Sequence, residues 1–430
     1  TKPVNFSSVL ANDLATTALD IHAIEVANGT GTINGALLTS ISGTAAEVVT
    51  ALDDLDADPV AFVWSTVTGI HAQATDLITI SATTLSTVDV TAATGIDGTA
   101  ADVLLVINDT EIAKPTNFDA TLIGIASPTD IGLIRAVTLG VVDGTGITAI
   151  DGTATDVVQA LNDLDIDPTN FTSLITAGVV LASDLITIST GNSGQVNAAA
   201  VTDINGTAAE IAAVIADTSI TKPVNFDSVL ADDLATTALD IHAIEVANGI
   251  GTIDGAALTS ISGAATEVVT ALDDLDADPV AFVWSTVTGI HAQATDLITI
   301  SATTLSTVDV TAATGIDGTA ADVLLVINDT EIAKPTNFDA TLIGIASPTD
   351  IGLIRAVTLG VVDGTGITAI DGTATDVVQA LNDLDIDPTN FTSLITAGVV
   401  LASDLITIST GNSGQVNAAA VTDINGTAAE

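Results

Sequence analysis

The sequence predicts an α/β repeat fold, a β-solenoid of the parallel β-helix kind carrying one short capped α-helix per unit of about 55 residues. Three observations predict it. Residues 221–430 repeat residues 1–210 with seven substitutions, so position 221 restarts the pattern of position 1. Within each block a glycine phrase returns at nearly even spacing, at Gly43, Gly98, Gly152 and Gly206, and again at Gly263. Hydrophobic residues make up 47% of the chain and aromatic ones 2%, which suits ladders of small aliphatic side chains better than a core built around large rings.

The phrase occurs as Ile41-Ser-Gly-Thr-Ala-Ala-Glu47, Ile96-Asp-Gly-Thr-Ala-Ala-Asp102, Ile150-Asp-Gly-Thr-Ala-Thr-Asp156 and Ile204-Asn-Gly-Thr-Ala-Ala-Glu210. Thr44 followed three residues later by Glu47 is a capping box, so a helix begins there. Val48, Leu52 and Leu55 then fall at i, i+4 and i+7, as do Val157, Leu161 and Leu164, which gives one apolar stripe. Asp-Pro or Lys-Pro is the stop signal, because a residue before proline is pushed out of the helical region. A second marker, PxxF, holds all 8 phenylalanines and keeps the same beat from Pro3/Phe6 to Pro388/Phe391. After it come short aliphatic runs, Leu77–Ile80, Val88–Val90 and Ile21–Val26, which read as strands. Trp64 and Trp284, two residues beyond a PxxF phenylalanine, are expected to pack on the helix of their own unit.

These markers divide the chain into a first block, 1–220, with units 3–58, 59–114, 115–167 and 168–222, and a second, 221–430, with units 223–278, 279–334, 335–387 and the incomplete 388–430. Strands of successive units are expected to pair in parallel. The alternative architecture is a string of β-sandwich domains of about 110 residues, two units each.

With 54 acids against 6 bases the net charge is −48, which excludes nucleic acid and anionic membrane as electrostatic partners and points to cations. Every lysine stands before a PxxF proline, and that position alternates in sign along the chain: Lys2, Asp58, Lys114, Asp167, Lys222, Asp278, Lys334, Asp387. If units stack in register these residues form an ion-pair ladder. Asp53, Asp54, Asp56 and Asp58 crowd one expected helix C-terminus and Asp163, Asp165 and Asp167 another, where the macrodipole disfavours them; Ca²⁺ is the candidate ligand that relieves this. The EF-hand spacing is missing, however. No other cofactor is required by the sequence.

Catalysis is not expected. Cysteine does not occur, and the four histidines, His22, His71, His242 and His291, stand in Ile-His-Ala phrases that read as strand positions. No stretch of 18 consecutive apolar residues is present, so a membrane span is not expected.

The IxGTAx[DE]V phrase, the acidity and the lack of cysteine together resemble the giant repetitive cell-surface proteins of bacteria, notably those of marine cyanobacteria, and more loosely the acidic adhesins exported by type I secretion. The resemblance implies an extracellular or cell-surface location and a structural, adhesive or motility-related role. The expectation is therefore an extracellular structural repeat protein that forms a rod or filament and associates with itself. The alternative is an adhesin stalk that binds glycans or cations at many weak sites.

Overall fold

A computed structural model describes residues 3–60, 64–83, 87–279, 284–303 and 307–430, with only the backbone of Trp64 and Trp284. Lys2, Phe62 and Phe282 and the packing of both tryptophans therefore lie outside the described residues. The chain is a repeated α/β structure with 15 helices and many short strands among the described residues. Contacts divide it into two units, one of residues 1–202 with 216–223, the other of residues 203–215 with 224–430.

In the first unit helices begin at Ala18, Ala45, Ala74, Ala100, Pro128, Ala154 and Ala182, at nearly even spacing. The structural turn is thus half the expected repeat: the stretch 3–58 holds two helices, and so do 59–114 and 115–167. Between helices the chain runs through short extended segments, each paired in parallel with its counterpart in the next turn. Ser8 pairs with Ile33 in this way, and Ala120 with Val142. Ser40–Gly43, Trp64–Val67, Thr87–Asp89 and Ile112–Ala113 form one such sheet, and His71–Gln73, Gly95–Gly98, Asp119–Ala126 and Val142–Ile150 a second. The second unit repeats both arrangements, for example Ser260–Ala264, Trp284–Thr288, Thr307–Asp309 and Ile332–Ala333. The four-stranded sheets are parallel throughout, which is not the antiparallel build of a sandwich.

The apolar stripe of each helix explains its seat. Ala74, Leu77 and Ile80, Ala100, Val103 and Val106, and Ala182, Leu185 and Ile188 fall at i, i+3 and i+6, and all are buried. Strand residues such as Ile41, Val88 and Ile96 are also fully buried, and successive helices pack on each other. Burying a Leu, Ile or Val side chain stabilises by about 1.5–3 kcal/mol.

Two sequence readings change here. Leu77–Ile80 and Ile21–Val26 are not strands but lie in the helices Ala74–Thr83 and Ala18–Asn28, whereas Thr87–Asp89 is a strand as expected. Short runs of aliphatic residues fit either period, and the choice falls to context. The context is a shared start signal, a small residue or proline followed two places later by an acid: Ala18-Leu-Asp20, Ala74-Thr-Asp76, Pro128-Thr-Asp130 and Ala182-Ser-Asp184 match Ala45-Ala-Glu47 and its kin. Thr17 caps its helix by accepting from the Asp20 N–H at 3.2 Å. The helix Ala45–Asp54 also stops well before Pro59, so the X-Pro step follows the helix end instead of making it.

The glycine phrase and PxxF both report close approach between turns. Gly43 lies over Ala18 of the preceding turn, and Gly98 over Ala74, with room for no larger contact: a Cβ on either would stand 3.0 Å from the alanine methyl. Phe118, Phe171 and Phe226 are 1–2% exposed, and the next turn places Gly140, Gly194 and Gly251 directly on their carbonyls. A Cβ on Gly194 would overlap the Phe171 carbonyl, a clash that only a backbone shift can resolve. Gly194→Ala is therefore expected to destabilise by about 1–3 kcal/mol. Gly132→Ala, inside a helix where the added methyl meets only the flexible Asp163 carboxylate, is expected to stabilise by about 0.5–1 kcal/mol. Urea unfolding of the two variants tests the opposite signs.

Candidate functional site

Several acidic residues join neighbouring turns, while others, such as Asp20 and Asp89, bond within their own. In the first unit Asp56 Oδ2 accepts from the Ile33 N–H at 2.6 Å, Asp119 Oδ1 from Val141 N–H at 2.8 Å, Asp151 Oδ1 from Leu174 N–H at 2.8 Å, and Asp165 Oδ2 from Val142 N–H at 2.8 Å. Each bond runs between neighbouring turns, to an amide that the local strand pairing leaves over. Side-chain donors are used in the same way: Ser81 Oγ donates to Asp109 at 2.7 Å and Thr155 Oγ1 to Asp184 at 2.7 Å. Arg135 donates to both the Gly140 carbonyl, at 3.0 Å, and Asp165 Oδ2, at 2.7 Å. Such a bond to a charged acceptor contributes about 1 kcal/mol when partly exposed.

The histidines belong to this set. His22 lies on a helix and its Nδ1 is 2.8 Å from Asp54 Oδ2, one turn on; His71 lies on a strand, 2.8 Å from Asp97 Oδ1. His242–Asp274 and His291–Asp317 repeat both pairs in the second unit. Of the four, His22 and His242 are thus on helices, contrary to the strand reading.

The expected calcium clusters are pulled apart by these duties. Asp54 faces His22, Asp56 faces Ile33, Asp163 Oδ1 accepts from Gln159 Nε2 at 2.9 Å, and Asp165 serves Val142 and Arg135. Among the described residues no group of three or more acids or histidines converges as metal ligands would. Asp53 and Asp58 are exposed, one on the helix and the other in the loop beyond it.

Lys114 and Lys334 do not form the sign-alternating ladder. Lys114 Nζ donates to the carbonyls of Asp109, at 3.1 Å, and Ile112, at 3.4 Å, and Lys334 repeats this at 2.9 and 3.2 Å. Lys222 Nζ donates to the Asp217 carbonyl at 2.7 Å. The reason is the halved turn, which sets Asp58 and Lys114 two turns apart instead of one. A whole turn then stands between the two residues, and Lys114 Nζ turns to carbonyls of its own segment instead. Burial lowers the pKa of Lys114, Lys222 and Lys334, and neighbouring Asp109, Asp217 and Asp329 oppose it. Burial also raises the Asp167 and Asp387 carboxyls, while Asp217 is held low, first by the Ser219 hydroxyl.

Four of the seven substitutions between blocks keep or add a hydrogen bond of this kind, and none of the seven is buried. Ser7 accepts from Thr32 N–H at 3.1 Å, and Asp227 from the equivalent Thr252 at 2.7 Å. Asn12 and Asp232 both accept from the backbone and hydroxyl of a threonine, Thr39 or Thr259, in the next turn. Asn34 and Asp254 accept from the amide two residues on. Ala46→Thr266 adds a hydroxyl that donates to Asp296 at 2.8 Å. Thr30→Ile250 and Leu37→Ala257 are exposed changes that nothing in the structure explains. Thr44→Ala264 removes half of a capping box: Thr44 and Glu47 satisfy each other's amides, whereas Ala264 only donates, to Glu267 at 2.8 Å.

No known family model matches this chain, and a search of curated proteins finds no match. Among the described residues no helix is long and apolar enough to cross a membrane.

Restoring the missing cap is a direct test of the local energetics. Ala264→Thr is expected to stabilise the helix Ala265–Asp274 by about 0.5–2 kcal/mol. Hydrogen exchange should show slower opening of its first-turn amides, with the equivalent helix Ala45–Asp54 unchanged.

Proposed function

We propose that this is a structural repeat protein of the bacterial cell exterior, in which helix–strand turns stack as a parallel solenoid and the stack associates with further copies of itself. The observation that carries this reading is the dependence of each turn on the next, with strand amides answered by the neighbour's carbonyls and carboxylates at a near-constant offset. Identical blocks then add length without changing geometry. The net charge of −48 and the lack of cysteine and methionine favour a saline exterior over the cytoplasm.

Self-association of so acidic a chain depends on salt. The Debye length is roughly 30 Å at 0.01 M and 3 Å at 1 M, so copies repel at low salt and approach freely at high salt. Sedimentation velocity is expected to show a monomer in 0.01 M NaCl and higher-order species in 1 M NaCl, with electron microscopy of the latter showing rod-like particles of uniform width. A monomer at every salt concentration removes the self-association, and pairs of separate beads remove the solenoid.

A further inference from the structure

The residue before each PxxF proline carries one of two chemistries. Where it is lysine, as at Lys114 and Lys334, its Nζ donates to carbonyls of its own segment. Where it is Asp167 or Asp387, the carboxylate takes no hydrogen bond from a described residue, and burial alone raises its pKa. These two aspartates are equivalent residues of the two blocks. Each borders a cleft together with the proline that follows it, of about 420 Å³ at Asp167 and about 510 Å³ at Asp387.

The cleft holds no competing charge. Leu161 and Asn162 line it from the preceding helix, Ile186 and Thr187 from the next, and Asn192 from the loop beyond, so Asp167 is its only ionisable residue. Asp163 and Asp165, the nearest acids in sequence, are bonded elsewhere, the first to Gln159 and the second to Arg135 and Val142. The second cleft has the same lining, with Asp387 its only ionisable residue. A carboxyl partly shielded by hydrocarbon and facing no cation stays protonated to a higher pH than an ordinary one. The peptide bond that follows is suited to attack by that carboxyl. Its oxygen can reach the carbonyl carbon of its own residue by closing a cyclic anhydride. The leaving group is the tertiary amide nitrogen of proline, a better proton acceptor than the nitrogen of a secondary amide. A lysine in the same position has no such oxygen.

We propose that Asp167–Pro168 and Asp387–Pro388 are sites at which this chain cleaves itself in mild acid. The Asp167 carboxyl oxygen bonds to the Asp167 carbonyl carbon, the bond from that carbon to the Pro168 nitrogen breaks, and the proton given up by the carboxyl goes to that nitrogen. Water entering the cleft opens the anhydride, which leaves Asp167 as a new carboxyl terminus and Pro168 as a new amino terminus. One water is consumed and no other reactant is needed. Asp387 acts on its own carbonyl in the same way. The cut does not part neighbouring turns, because Thr172 and Leu174 beyond it bond to Thr148, Ile150 and Gly152 before it, and Thr392 bonds likewise to Thr368 and Ile370. Acid thus divides the chain into pieces 1–167, 168–387 and 388–430, the middle one as long as a block.

The test holds the full 430-residue chain at about pH 5 and about 37 °C, both folded and in urea, and follows new amino termini by peptide mass spectrometry. Asp58–Pro59 and Asp278–Pro279 contain the same dipeptide and show what sequence alone confers. In the folded chain the termini at Pro168 and Pro388 are expected to appear at least roughly twofold faster than those at Pro59 and Pro279, and in urea all four at one rate. Asp167→Glu with Asp387→Glu keeps the charge but lengthens the ring that must close, and is expected to abolish both cuts. The comparison of the four bonds needs no variant, so it stands even if the glutamate chain does not fold. Returned to neutral pH, the cut chain is expected to sediment as the intact one does. No new terminus at Pro168 or Pro388, equal rates at all four bonds in the folded chain, cuts that survive in the glutamate variant, or pieces that sediment separately would each overturn the proposal. Cleavage needs no second copy, so its outcome is independent of self-association.

Discussion

The structure depends on one constraint: the amides and carbonyls of a turn are answered by the turn beside it. A strand of two residues such as Ser8–Val9 has too few partners of its own to persist, and its pairing reaches to the neighbouring turn at Ile33; the longer Asp119–Ala126 and Val142–Ile150 pair across turns in the same way. Where backbone carbonyls do not reach, carboxylates do. Asp56 and Asp165 serve the earlier amides of Ile33 and Val142, and Asp119 and Asp151 the later ones of Val141 and Leu174. The small residues obey the same constraint, since a side chain at Gly43 or Gly194 would hold the turns apart.

The acidity therefore has a structural use besides its effect on solubility. An ionised aspartate only accepts hydrogen bonds, so a chain rich in it can cap leftover N–H groups on every turn. The second block uses this further: Ser7 becomes Asp227 and Asn12 becomes Asp232, and the acceptors stay in place with shorter bonds to the same backbone amides. Substitution between blocks is confined to unburied positions, several of which tolerate an amide, a hydroxyl or a carboxylate in the same geometry.

The alternation of helix and parallel strand was legible, because Thr44-x-x-Glu47 marks a helix start with a mechanism and Val88–Val90 has strand composition. The size of the turn was not. Leu77-Ile-Thr-Ile80 contains two β-branched isoleucines and reads as a strand, which masks a helix whose start lacks a threonine cap and rests instead on Ala74 and Asp76. With the like misreading of Ile21–Val26, it doubles the expected unit and hides the two turns that separate Lys114 from Asp58 and from Asp167. The orientation of the Asn192 amide had no sequence signal of its own, because its oxygen is fixed by the amides of Phe171 and Gly194, one of them a turn away. The pull of Asp54 toward His22 is likewise visible only once the turns are stacked.

The dependence of each turn on its neighbour is tested most directly by shortening the chain from its carboxyl end one turn at a time and measuring urea unfolding of every length. In a nearest-neighbour stack the midpoint and the m-value fall step by step as turns are removed, and a stretch of two turns alone does not fold. If the midpoint instead stays constant until a whole block is lost and then drops at once, the turns are held by a closed interior and not by one another, which contradicts the account.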